Sequence, residues 1–123
     1  METKNVELEL AEKIVAILDN RKAADIKLLR VADKTVIADY FVICSGNSST
    51  QVKALCDEVE YRLSELGYQA ARTEGVSTGL WIAIDYHSVI IHIFSAETRK
   101  YYNLERLWGE AEEIDISALL DKN

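Results

Sequence analysis

Tyr40-Phe41-Val42-Ile43-Cys44-Ser45-Gly46-Asn47-Ser48-Ser49-Thr50-Gln51 decides the class of fold. The first five residues are apolar with no alternation, so they form a strand covered on both faces, as at the centre of a sheet flanked by helices. Ser45-Gly46-Asn47 ends that strand with turn-forming residues. Ser48 followed by Gln51 is a capping box, whose hydroxyl and amide can each satisfy an orphan N–H at the start of a helix. Apolar residues then recur at Val52, Leu55, Cys56, Val59, Leu63 and Leu66, which is one helical face, and Gly67 suits the left-handed cap that ends it. A buried strand running into a capped amphipathic helix is the building unit of an α/β domain.

The flanking sequence extends this unit in both directions. Val6 to Asn20 is an amphipathic helix, with Leu10, Ile14, Val15, Ile17 and Leu18 on one broad side and Glu9, Glu12, Lys13 and Asp19 mostly off it. Ile26 to Val31 alternates weakly as a strand and Asp33-Lys34 turns. Beyond Gly67 come a short strand over Tyr68 to Thr73, a loop from Glu74 to Gly79, and two strands, Leu80 to Asp85 and Val89 to Phe94. Tyr86-His87-Ser88 joins these two into an antiparallel hairpin. In the first of them Leu80, Ile82 and Ile84 share one face while Trp81, Ala83 and Asp85 share the other.

Ala96 to Trp108 reads as one helix, because residues 99–108 contain no Gly, Pro or β-branched residue and are rich in helix formers. On it Tyr101, Leu104 and Trp108 fall at i, i+3 and i+7, with Leu107 beside this stripe and Tyr102 further round. A short apolar segment, Ile114 to Leu120, follows. The expectation is a single α/β domain over residues 1–123: a mixed sheet flanked by helices, in the order α-β-β-α-β-β-β-α. Its core is expected over about 5–109, with an acidic segment, 110–123, behind it.

Composition restricts the function. A chain of 123 residues, 49% hydrophobic and 28% charged, is an ordinary soluble domain. By surface–mass scaling it buries roughly 13,000 Å² on folding, enough for a core without disulfides. Two cysteines make no disulfide framework, no apolar run spans a membrane, and the first residues resemble neither a signal nor a transit peptide. A cytoplasmic location is expected. The net charge of −7 disfavours direct nucleic-acid binding and favours a basic partner. Glu110, Glu112, Glu113 and Asp115 concentrate part of it.

A search for reaction chemistry leaves little. His87 and His92 lie five apart and point to opposite faces, and the cysteines lack paired metal spacing, so no metal ligand set is expected. Cys44 and His92 fit as core residues, and no nucleophile elbow is present. Ser45 to Ser49 could hold a phosphate at the start of a helix, or could simply turn and cap it. Asp85 has no second carboxylate at i−2 or i+2 to share a divalent ion. No catalytic residue and no cofactor is therefore expected. What remains is a surface of large rings edged by charge, the composition of protein-contact patches. Trp81, Tyr101, Leu104 and Trp108 could equally dock on the domain's own sheet.

Several blocks resemble one family. Asp39 to Ser49, Glu74-Gly75 with Trp81 and Asp85, Val89-Ile90-Ile91-His92-Ile93-Phe94, and Arg99 with Tyr101-Tyr102-Asn103-Leu104-Glu105-Arg106-Leu107-Trp108 look like the ribosomal silencing factors, the Iojap-like family. The resemblance covers nearly the whole chain, with its blocks in order. It implies a nucleotidyltransferase-like fold without transferase activity. It also implies a translational repressor that binds the large ribosomal subunit through the ribosomal protein of the fourteenth large-subunit family, blocking small-subunit joining when nutrients are scarce. Members are described as homodimers when free. Carried onto this chain, the contact surface comprises Trp81, Tyr101, Leu104 and Trp108, with Asp85 and Glu105 as charged contributors and Tyr102 beside them. Where the family commonly has Gly-Asp in the hairpin turn, this chain has His87-Ser88. Two alternatives stay open: a nucleotide- or phosphate-binding enzyme using Ser45 to Ser49, and a homodimer whose rings face its own copy.

Overall fold

The computed structural model describes residues 5–103, 106 and 108–120. In chain order the elements are α1 (Val6–Asn20), β1 (Ala24–Arg30), β2 (Tyr40–Gly46), α2 (Ser49–Glu65), β3 (Arg72–Glu74), β4 (Trp81–Asp85), β5 (Val89–Ser95), α3 (Ala96–Tyr102) and β6 (Glu112–Ile114), then a single 3-10 turn over Ser117–Leu119. They build one six-stranded mixed sheet in the order β3-β4-β5-β2-β1-β6. β2 and β5 run parallel, and the other four pairings are antiparallel. β2 is buried throughout and sits between β5 and β1, as its unbroken apolar run requires.

Local signals set the helix ends. Asn5 caps α1, its side-chain oxygen accepting from Leu8 N at 2.9 Å. Ser48 Oγ accepts from Gln51 N at 3.1 Å, the first half of the capping box, while Gln51 Oε1 reaches one residue further back and accepts from Asn47 N. α2 closes with Tyr68 N donating to the Leu63 carbonyl and Gly67 N to that of Ser64, and Gly67 takes φ +94. That is the paired C-terminal motif that glycine permits.

The sheet has two unlike faces. Ile82, Ile84, Ile91, Ile93, Val42, Cys44 and Leu28 point towards α1 and α2, whose Ile14, Val15, Leu18, Leu55, Val59 and Leu63 complete a continuous apolar core. Leu29, Phe41, Ile43 and Phe94 point the other way, joined by Trp81, Ile90, Trp108 and Ala111. This second cluster is smaller, and at its margin Trp81, Ile90, Trp108 and Ala111 stay partly exposed. Among the described residues no helix is long and apolar enough to cross a membrane.

Three sequence expectations are corrected. The last helix does not run unbroken from Ala96 to Trp108: Asn103 adopts φ 49, its N–H bonds back to Arg99, and α3 stops at Tyr102. Asn tolerates this left-handed geometry better than other side-chain-bearing residues, so a run of helix formers can still stop there. Tyr101 and Trp108 therefore do not share one unbroken helix, and Leu104 lies outside the described residues. Secondly, the acidic segment expected outside the core supplies β6, which pairs with β1 through Glu112, Glu113 and Ile114. Ile116 joins the main core beside it. Thirdly, β3 starts at Arg72 and not at Tyr68, because Tyr68 is engaged in closing α2.

Candidate protein-binding face

The hairpin register places the first ring. Trp81 on β4 pairs with Phe94 on β5, so both side chains stand on the partly covered face, stacked at 4.8 Å between centroids. Ser95 ends β5 and at once caps α3, its Oγ accepting from Thr98 N at 3.3 Å. Arg99 turns inward, buried, and donates to Ser45 Oγ at 2.8 Å, which pins the short helix to the end of β2. With α3 so fixed, Tyr102 lies 5.1 Å from Trp81, and Tyr101 meets Tyr102 edge-on at 5.1 Å. Tyr101 is 83% exposed and Tyr102 56%. Between α3 and the Thr78–Leu80 loop runs an open groove of about 550 Å³, walled by Trp81, Tyr101 and Tyr102 and bordered by Glu97.

The second indole approaches from another segment. Trp108 is half-buried and meets Phe41 edge-on at 5.1 Å. His92 lies between the two groups, 4.9 Å from the Phe41 ring and 5.9 Å from Trp81. The indole Nε1–H of Trp81 donates to His92 Nδ1 at 3.1 Å. His92 Nε2 is buried with no hydrogen-bond partner among the described residues. Burial pushes the imidazole pKa down to about 4, so the ring is neutral at ordinary pH and its Nδ1 lone pair is available to the indole.

The candidate residues thus divide. Trp81, Tyr101 and Tyr102 meet in one cluster, with the two tyrosines exposed and Trp81 half-buried, while Trp108, also half-buried, packs edge-on against Phe41 apart from them. Leu104 and Glu105 lie outside the described residues. Asp85 sits at the far end of β4 from Trp81, and its Oδ1 accepts from His87 N at 2.7 Å. That bond braces a turn in which His87 takes φ 71, a geometry that favours glycine. Gly75 has a positional reason too: at φ +89, a Cβ there would come within 2.0 Å of the Trp81 carbonyl oxygen. Reading the sequence alone missed His92 as anything but a satisfied core residue. Its pairing with Ala83, diagonal to Trp81, follows only from the β4–β5 register.

Elsewhere the chemical groups are occupied or inert. Ser45 Oγ serves Arg99, and Ser48 and Gln51 serve the α2 cap, so these three polar side chains hold the fold together. Burial lifts the Cys44 thiol to about 12. Cys56 could approach an ion with Asp57 and Glu60, but burial, reinforced by Glu60 and Asp57, holds its thiol near 12. Glu60 also accepts from Thr73 Oγ1.

Comparison with known proteins agrees with the mixed-sheet domain fold. The chain is 40% identical over 101 residues to a protein of Bacillus subtilis described as ribosomal silencing factor RsfS, covering 82% of this chain and 86% of that one. Against the protein of the same description from Halalkalibacterium halodurans it is 37% identical over 112 residues, covering 91% and 96%. A crystal structure of a Chromobacterium violaceum protein superposes with a TM-score of 0.81 at 31% identity, covering 89% of this chain and 88% of that one. The family model described as "Ribosomal silencing factor during starvation" matches residues 4–123. With fold, length and sequence blocks all in agreement, the chain belongs to the ribosomal silencing factor family.

Proposed function

We propose that this chain silences translation by docking on the large ribosomal subunit, through the basic ribosomal protein of the fourteenth large-subunit family, and obstructing small-subunit joining. The observation that carries this reading is the cluster formed by the half-buried Trp81 with the exposed Tyr102 and Tyr101 at the border of the second sheet face. Rigid rings of this kind bury large area at little entropic cost and anchor protein contacts. The net charge of −7 speeds encounter with a basic partner, and the rings then hold it. Obstruction requires occupancy alone, with no bond made or broken. The protein acts in the cytoplasm, chiefly when nutrients are limiting. In its free state the same rings would pair with a second copy, so that dimerisation and docking compete.

Sedimentation of the purified chain with isolated large subunits tests the reading. The chain co-sediments, lowers the yield of joined ribosomes, and does so less at raised salt as the electrostatic share is screened. Trp81→Ala abolishes most of this binding while the domain stays folded. A chain that sediments free of large subunits overturns the proposal. A folded Trp81→Ala variant that binds like the parent overturns the assignment of the face.

A further inference from the structure

Stacking holds a flat ring without choosing its edge. The terminal torsion of Trp is broad, so rotating the Trp81 indole about it preserves much of the contact with Phe94 while sending the N–H outward. One directional bond breaks that degeneracy: Nε1–H to His92 Nδ1, 3.1 Å. The acceptor is itself immobile, since His92 is 9% exposed and held edge-on against Phe41. It also comes with a penalty, because accepting at Nδ1 leaves the neutral ring's proton on Nε2, which is buried and unpaired among the described residues. An apolar residue at 92 would avoid that penalty.

Resting on the docking reading above, we infer that His92 is a positioning residue that orients the Trp81 indole for the partner. It turns the N–H inward, so that the ring offers the partner carbon surface and no donor. The complementary group on the partner is therefore aliphatic, either an apolar side chain or the methylene stem of a basic one. A partner acceptor reaching for the indole N–H is excluded by the same bond.

The test uses the full chain labelled with ¹⁵N. In the parent, His92 shows a protonated Nε2 and a bare Nδ1, and the Trp81 indole N–H exchanges slowly. His92→Leu, similar in size but with no acceptor, shifts the Trp81 indole signal and leaves that of Trp108 in place. It weakens large-subunit binding by about fivefold or more, the scale of one hydrogen bond. It does not lower the unfolding midpoint, a separation that a purely structural role would not produce. His92→Gln, which restores an acceptor, regains most of the binding. In a Trp81→Phe background His92→Leu has no further effect. A parent His92 protonated on Nδ1 overturns the inference without any variant. So does a folded His92→Leu that binds like the parent, or one that loses as much binding in the Trp81→Phe background. A parent that fails to bind large subunits at all overturns the docking reading itself.

Discussion

The two faces of the sheet obey different rules. On the face covered by α1 and α2 the side chains are mostly aliphatic and buried, with Tyr40 and Tyr86 among them. On the other, rings join the aliphatic chains, Trp81, Ile90 and Trp108 are only partly buried, and His92 Nε2 has no hydrogen-bond partner among the described residues. The first face is built as a folding core is built, filling space with whatever apolar volume fits. The second leaves part of its ring surface accessible at the margin. A domain that only had to fold would have no use for that difference.

The contrast can be broken most sharply from the covered side. Leu18→Ala empties a fully buried site between α1 and the sheet and should cost about 3–4 kcal/mol of stability, measured by denaturant unfolding. Binding per folded molecule should not change. If it does, the faces are not independent.

Acid acts on the other face. His92 keeps a pKa of about 4 in the fold against an ordinary 6.5. Between those values the unfolded chain binds more protons than the folded one, so stability rises with pH there and is lost as pH falls from about 6.5 to about 4. The loss attributable to His92 should approach, at most, ~3 kcal/mol. Subtracting the same titration in His92→Leu isolates it, because the register neighbours Ala83 and Ile43 carry no charge. An identical pH dependence in both proteins would show that His92 does not titrate as described.

Trp81→Ala sharpens the distinction in the opposite sense, costing about 2 kcal/mol or more of binding and comparatively little stability. Equilibrium binding beside thermal unfolding separates the two. The smallest effect belongs to the hairpin: His87→Gly should stabilise the domain by about 0.5–1 kcal/mol by relieving a left-handed residue, with docking unchanged. A loss of binding there would make the turn part of the contact.

Legibility in the sequence followed the same division. α1 could be read from its periodicity and α2 almost to the residue, because its cap, periodicity and terminal glycine agree locally, and the β2 run announces a central strand. The contact face was legible in composition but not in geometry. Trp81, Tyr101 and Tyr102 are conspicuous, yet the idea that ties Tyr101 to Trp108 on one helix fails at Asn103, a residue that looks innocuous among helix formers. β6 escaped notice because Glu112 and Glu113 have poor strand propensity, and only their pairing with β1 makes them a strand. The Trp81–His92 bond is a diagonal contact between strands, and no spacing along one chain segment encodes it.

The position of β6 at the rim carries one more implication. An outermost strand bares its unmet amides and carbonyls to any chain that could lengthen the sheet, and here that margin is studded with Glu112 and Glu113. Were two copies to zip together antiparallel along it, like charges would confront one another across the seam. Self-association by sheet growth is thereby discouraged at this border. The acidity does more than keep the protein in solution: it polices which of its surfaces can be sticky.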